Sequence, residues 1–269
     1  MLNALLCFAA KHLSNVPGSG VDPTVADAYH AECVQQMIPQ LRDETAVLDD
    51  ALLASTVLLR MYEIMKGMGE DYQYHLWGAS SLVSIQKINA NTRNLRHTAF
   101  WAFLRQDVTI ALATNQPTKL DLESCGVELE FTEVDDDIWT NRMTFLLAKT
   151  VNFCFGPIEK TMEGWAALKG EVDLWKERAP ASFKPFYTQP HGVHGEPFPA
   201  IWLLFPWHSK TSCYRTHSSL RCSVLQSSSD IVGFVLSWNS SGDSGATTLE
   251  ADGSPSGILC QRNLWNFPY

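Results

Sequence analysis

The chain has 269 residues, of which 45% are hydrophobic and 18% charged, with a formal net charge of −9 and a pI near 5.3. This composition supplies enough apolar side chains for a core. Its excess of acidic residues argues against binding to the phosphates of a nucleic acid, which needs clustered Lys and Arg. The seven cysteines form no C-x2-C pair, which favours reduced thiols over a disulfide framework or a zinc site. No apolar run reaches the roughly 18 residues that a membrane span needs.

The first part of the chain predicts five helices. Residues 1–14 have the apolar spacing of an amphipathic core helix, and they lack the basic start of a signal peptide. Asp22 and Pro23 are typical of a helix start, and Pro39 is expected to end or kink the helix that follows. The other three helices are predicted from Asp49-Asp50 to Gly67, at about 72–90 and at about 94–114.

The fifth of these helices lies in the densest apolar run of the chain, Ala99 to Pro117, and one carboxylate interrupts its apolar stripe. Asp107 follows Phe100 by seven positions and therefore falls on the same face. Burying a carboxylate alone costs several kcal/mol at least, so we expect Asp107 to be buried and paired with an arginine. Arg142, at the edge of the stripe of a later helix, is the preferred partner, and Arg60 is the second candidate.

The second part of the chain predicts an acidic linker at 118–134 and then three more helices. Asp135–Asp137 supplies the acidic N-terminus of the sixth helix, which ends at Gly156-Pro157. A seventh helix is predicted at about 159–178, a proline-rich loop at 180–199 and a short helix at about 199–208. No strand is predicted before residue 209. The pattern therefore indicates an all-α fold, an irregular antiparallel array of about eight helices.

The composition changes after residue 208. Residues 209–269 contain 14 serines, whereas residues 1–208 contain eight, and the helical periodicity ends. A short apolar patch at 230–238 is compatible with a strand. We therefore predict a helical domain at 1–208 and a poorly ordered or weakly packed Ser-rich tail at 209–269.

Four motifs suggest chemistry, and for each a structural explanation is favoured. Asp135–Asp137 lacks the carboxylates one helical turn apart that a magnesium site of an all-α prenyl-diphosphate enzyme needs. HGVHGE at 191–196, with His208 nearby, has no helix to preorganise metal ligands. GDSG at 242–245 echoes trypsin-like proteases, which are all-β. Arg105-Gln106-Asp107 has no accompanying nucleophile or base, so a polar contact inside the core is favoured.

Seven segments, in their order and spacing, resemble the fungal-specific transcription factor domain, the helical regulatory region that follows the Zn2Cys6 cluster in fungal regulators. The segments are LNALLCFAAKHLS, AYHAECVQQMIPQL, DDALLASTVLLRMYE, HLWGASSLV, AFWAFLRQDVTIALATNQP, DDDIWTNRMTFLLAKTVNFCFG and FPAIWLLFPWH. The resemblance spans roughly residues 2–208, and FWAFLRQD and NRMTFLLAKTVNFCFG are its most specific parts. It implies a nuclear transcription regulator of a filamentous fungus, whose domain modulates activity through an effector, intramolecular contacts or coactivators.

The resemblance also sets expectations for cofactors and partners. The six-cysteine cluster beginning C-x2-C-x6-C is absent, so we expect no cofactor in this chain, zinc only in the missing N-terminal cluster, and no direct nucleic-acid binding. The family has no established catalytic residues, and we therefore expect no enzyme. Expected partners are proteins of the transcription machinery or a related regulator, with a possible small effector. The expected location is the nucleus, or the cytoplasm for a truncated protein.

Family members continue past the Trp-His at 207–208 with further helices, which CYRTHSSLRCSVLQSSS replaces here. We therefore expect the tail to come from a frameshift, a retained intron or a mispredicted exon, and the chain to be a truncated regulatory domain. Two alternatives stay open. One is an all-α enzyme of isoprenoid metabolism, and the other is a stand-alone interaction module that titrates a full-length relative.

Overall fold

A computed structural model describes residues 1–66, 74–86, 94–127, 135–189, 200–212, 214, 215 and 218. The chain divides into two compact units, residues 1–130 and 131–269. The described residues are mostly helical and contain one small sheet, which confirms the predicted all-α class. No helix in this part of the chain is long and apolar enough to cross a membrane.

The first unit is built around its third helix. Its helices are α1 (Leu2–Ser14), α2 (Pro23–Gln40), α3 (Asp50–Lys66), α4 (Tyr74–Gln86) and α5 (Leu95–Thr114). Helix α3 contacts α1, α4 and α5. All residues from Leu52 to Val57 are buried, as are Leu59, Arg60 and Tyr62. Two of these are hydroxyl residues, and Ser55 and Thr56 donate to the carbonyls of Ala51 and Leu52 at 2.6 and 2.9 Å. Hydroxyls satisfied within their own helix can lie in an apolar core.

The helix ends follow the local rules that the sequence suggested. Asp22 caps α2 by accepting a hydrogen bond from the Thr24 N–H at 2.8 Å, with Pro23 in the first turn. Pro39 lies inside α2, one residue before the helix ends. Asn115, with φ of 53°, adopts the left-handed conformation that commonly closes a helix, and it ends α5.

The second unit contains α6 (Asp136–Phe155) and α7 (Met162–Arg178), which pack on each other. The predicted apolar stripe of α6 forms its core, where Trp139 and Leu146 are 2% and 0% exposed. The indole N–H of Trp175 on α7 donates to the Trp139 carbonyl at 3.0 Å, in addition to the ring contact between the two indoles. A buried tryptophan therefore keeps its polar atom satisfied while it joins the two helices.

The prediction of an eighth helix over 199–208, with no strand before residue 209, is wrong in part. Ala200–Trp202 forms β2, which pairs antiparallel with β1 (Tyr187–Gln189). Helical residues begin only at Pro206, and 206–212, 214 and 215 are helical. Proline fits the first turn of a helix and breaks its interior, so Pro206 starts the helix instead of continuing one. Strands of three residues are too short to show alternation.

The division into a helical domain at 1–208 and a tail at 209–269 stays a prediction. Residues 209–212 continue the helical stretch that begins at Pro206. The apolar patch at 230–238 and the GDSG motif at 242–245 lie outside the described residues.

We expect Thr161→Ala to lower the free energy of unfolding by about 1 kcal/mol. Thr161 is the N-cap of α7, and its hydroxyl accepts a hydrogen bond from the Gly164 N–H at 3.1 Å. Urea denaturation followed by circular dichroism measures the change, and Thr161→Ser, which keeps the acceptor, is the control. Equal stability of the alanine and serine variants would contradict this capping role.

Candidate functional site

The Asp107 carboxylate holds the loop that follows its own helix. It is fully buried, as the sequence indicated, and its two oxygens accept hydrogen bonds from the Lys119 N–H at 3.0 and 2.9 Å. One of them also accepts from the Leu120 N–H at 3.1 Å. The backbone after α5 therefore turns back, and two of its N–H groups donate to a side chain twelve and thirteen residues earlier.

Burial raises the pKa of the Asp107 carboxyl above its usual range, and the hydrogen bonds from Lys119 and Leu120 and the charge of Lys119 oppose this effect. The bound N–H groups thus stabilise a charge that the apolar surroundings disfavour. Such an arrangement fixes a loop, because moving the loop away would leave the carboxylate and two N–H groups without partners.

The two arginine candidates have other contacts in the structure. Arg60, on α3, is fully buried, and its Nη1 donates to the Glu63 carboxylate one turn later at 3.0 Å. Arg142, on α6, is 7% exposed, with its guanidinium 5.4 Å from the Trp139 ring centroid. Because Asp107 belongs to the first unit and Arg142 to the second, their pairing stays a prediction.

A polar cluster that the sequence did not reveal lies where α2, α3 and α4 meet. On its α2 side, Tyr62 donates its hydroxyl proton to the Asp27 carboxylate. Lys66 completes the group, with its ammonium 3.3 Å from Asp27 and 3.2 Å from the Tyr62 oxygen. Hydrogen bonding to Tyr62 lowers the pKa of Asp27, and burial together with that bond raises the pKa of Tyr62 to about 12.

The centre of this polar cluster is a pair of histidines. The Nε2 atoms of His30 on α2 and His75 on α4 are 3.0 Å apart, and the His30 ring stacks on Tyr62 with centroids at 4.8 Å. The Glu63 carboxylate accepts a hydrogen bond from the His75 backbone N–H at 3.3 Å, and the same carboxylate oxygen lies 3.9 Å from Nε2 of His75. Arg60, bound to the other oxygen of Glu63, completes the α4 side of the cluster.

The pKa values of both histidines lie below the usual range of an imidazole. Burial is the main cause that lowers the pKa of His75, to about 4, and the Arg60 guanidinium adds to it. The pKa of His30 is lowered by burial, His75 and Lys66, against the opposing charges of Glu63 and Asp27. Two neutral imidazoles at this distance share one hydrogen bond, with one ring as donor and the other as acceptor.

Sequence reasoning missed this cluster because each helix contributes only ordinary polar residues. Asp27 and His30 are three apart on α2, and Tyr62, Glu63 and Lys66 lie on adjacent turns of α3. Such spacing is typical of a solvated helix face. The convergence depends on how three helices pack, which spacing along the chain does not record.

Asp136, in the first turn of α6, has a structural role. Asp136 accepts a hydrogen bond from the Ser182 hydroxyl at 2.8 Å, and its second oxygen lies 3.0 Å from Nε2 of the fully buried His208. The His208 ring also packs on Phe183, with centroids at 4.4 Å. Ser182 thus contacts the carboxylate rather than the histidine, unlike the nucleophile of a catalytic triad.

The other chemical motifs give no further site. The HGVHGE segment at 191–196 lies outside the described residues. His208, which the sequence analysis considered together with it, is described and contacts Asp136. Within the described ranges, no group of three or more His, Cys, Asp or Glu side chains is arranged to hold a metal ion.

Comparison with known families gives one match. The sequence model described as "Fungal specific transcription factor domain" matches residues 1–139, just over half of the chain. The match includes α1 to α5 and the first turn of α6, and thus both the polar cluster and Asp107. No curated protein and no solved structure is significantly similar to the chain. The chain therefore belongs to the fungal specific transcription factor domain family and is a fungal transcription regulator.

Proposed function

We propose that this chain is the regulatory domain of a Zn2Cys6-type fungal regulator and that it acts in the nucleus by responding to a protein partner or a small effector. The match to the family over residues 1–139 is the observation that carries the proposal. The net charge of −9 supports a regulator in which a separate domain binds DNA and this domain does not. The proposed partners are proteins of the transcription machinery or a related regulator.

A regulatory domain responds only if its ligand binds one of its states better than another. The first unit offers elements that such a ligand could bias. Helix α3 contacts three other helices, and the polar cluster joins α2 and α4 to it through His30, Tyr62 and His75. A partner that shifted α2 or α4 would therefore have to break or strengthen these contacts.

A reporter assay tests the proposal. The complete chain is fused to an unrelated sequence-specific DNA-binding domain and expressed in a filamentous fungus with a reporter gene under the matching operator. We expect the fusion to enter the nucleus and to change reporter output by about fivefold relative to the DNA-binding domain alone, the scale of a typical coupling energy.

A fusion of the same DNA-binding domain to an unrelated helical domain of similar size is the control. If this control and the test fusion give equal reporter output, and the chain co-purifies with no nuclear protein, the proposal is wrong.

A further inference from the structure

We propose that the chain forms a two-fold symmetric homodimer through an exposed aromatic surface of its second unit. This aromatic surface consists of six large apolar side chains on the β1–β2 hairpin and the residues next to it, namely Phe186, Tyr187, Trp202, Leu204, Phe205 and Trp207. All six lie outside residues 1–139, which the family model matches. The match therefore does not imply the dimer, and the dimer does not depend on the function proposed above.

The rings of the aromatic surface form two neighbouring groups. Phe186 and Tyr187 both pack edge-on against Trp202, with ring centroids 6.3 and 6.1 Å away. Phe205 and Trp207 stack on each other, with centroids 4.3 Å apart. Five residues of chain, at most about 18 Å, join Trp202 to Trp207. The rings thus contact one another, yet 41–64% of each of the six residues remains exposed.

The exposed apolar area is larger than a monomer normally leaves in water. Because an aromatic side chain has about 150–250 Å² of surface, these exposures leave about 600–700 Å² of the aromatic surface in contact with water. The largest apolar patch of a typical monomer covers about 300–600 Å². Covering the aromatic surface on two copies would remove about 1,200–1,400 Å² from water, which reaches the range of about 1,200–2,000 Å² found for stable interfaces.

The absence of charge on this surface favours a second copy over a charged partner. No Asp, Glu, Lys or Arg occurs at 185–189 or at 200–207. An acidic or basic segment would therefore lose hydration of its charges there without gaining an ion pair. Two copies of a chain with a net charge of −9 repel each other, and this repulsion is weakest where the contacting faces carry no charge.

Contacts with α6 hold the aromatic surface in place before a partner binds. Trp207 precedes the fully buried His208, whose Nε2 lies 3.0 Å from the Asp136 carboxylate. Ser182, four residues before Phe186, donates to the same carboxylate at 2.8 Å. Asp136 thus fixes the chain just before and just after the aromatic surface. Little conformational entropy is then lost when two such surfaces meet.

The sheet also gains from a second copy. In the part of the chain that the structure describes, β1 and β2 pair only with each other. A lone two-stranded hairpin is only marginally stable in water, and its outer edges offer backbone N–H and C=O groups to another strand. Pairing one edge with the same edge of a second copy, about a two-fold axis, gives an antiparallel four-stranded sheet.

Sedimentation velocity of the complete chain tests the dimer, at concentrations from about 1 to 100 µM that bracket the micromolar affinity of a modest interface. We expect the mass to rise from 30.1 kDa toward twice this value and no further, because a two-fold contact is closed. W202E places two like charges in the uncharged contact and should weaken association at least about tenfold. W77E is the matched control, since Trp77 on α4 is 58% exposed and Trp202 is 59% exposed, and it should leave association unchanged.

Photo-crosslinking locates the contact. Benzoylphenylalanine replaces Phe205 in a mixture of isotopically light and heavy chains, and we expect light-to-heavy cross-links that end within the aromatic surface. A mass that stays at 30.1 kDa, growth beyond the dimer, equal association of W202E and the parent chain, equal weakening by W77E, or cross-links confined to single chains would each overturn the proposal. If W202E loses its folded circular dichroism, L204E, which lies outside both strands, replaces it.

Discussion

Replacing Asp107 by alanine is expected to lower the free energy of unfolding by about 3–5 kcal/mol. The substitution leaves the Lys119 and Leu120 N–H groups without their acceptor, and each unsatisfied buried group costs about 1–3 kcal/mol. It also removes atoms from a fully buried position. Urea denaturation of the purified chain, followed by circular dichroism, measures the loss.

Two further variants separate the hydrogen bonds from the charge. Asp107→Asn keeps one acceptor oxygen and removes the negative charge, so it is expected to lose less stability than Asp107→Ala. Asp137→Ala, at an exposed carboxylate of α6, is the control and should stay within about 0.5 kcal/mol of the parent chain. A loss below about 1 kcal/mol for Asp107→Ala would show that the carboxylate does not hold the loop.

The same variants test the predicted arginine pair. In a double-mutant cycle, Asp107→Ala and Arg142→Gln should show a coupling energy if the two side chains form an ion pair. Additive effects would mean that Arg142 is not the partner of Asp107. The same cycle with Arg60→Gln tests the second candidate, and additive effects there too would mean that the backbone of the loop is the sufficient partner.

Helices with clear end signals could be predicted from the sequence to within a few residues. Asp22 and Pro23 marked the start of α2, and the fifth helix, predicted at about 94–114, is α5 at Leu95–Thr114. The strand Ala200–Trp202 could not be predicted, because its apolar residues suit a helix equally well and its pairing partner lies eleven to fifteen positions earlier. Only the position of Pro206 argued against a continuous helix there.

The candidate site shows a similar limit. An apolar stripe interrupted by Asp107 predicted a buried carboxylate, since helical periodicity alone determines which face a residue occupies. Periodicity could not identify the partners of Asp107, because they are backbone N–H groups. Every residue except proline carries such a group, so the sequence does not show which ones will bind the carboxylate. The His30–His75 contact needs the packing of α2 and α4, which no local pattern specifies.

The polar cluster should make the chain less stable as the pH falls. The pKa of His75 is about 4 in the folded chain, below its ordinary value of 6.5, so the folded state binds fewer protons than the unfolded state between these values. Above pH 6.5 both states hold His75 neutral and the group has no effect. As the pH falls from 6.5 to about 4, His75 is protonated in the unfolded state but not in the folded state. The free energy of unfolding therefore falls.

The expected loss from His75 is about 2 kcal/mol by pH 5 and about 3 kcal/mol by pH 4, since one pKa unit corresponds to about 1.4 kcal/mol. The lowered pKa of His30 acts in the same direction, whereas the raised pKa of Asp107 acts in the opposite one. Comparing the parent chain with H75Q removes the contribution of all other groups to a first approximation. Urea denaturation from pH 7 to pH 4 should therefore show a shallower pH dependence for H75Q. Parallel curves for the two proteins would mean that His75 is protonated as readily in the folded chain as in the unfolded one, and that the polar cluster does not exclude a proton.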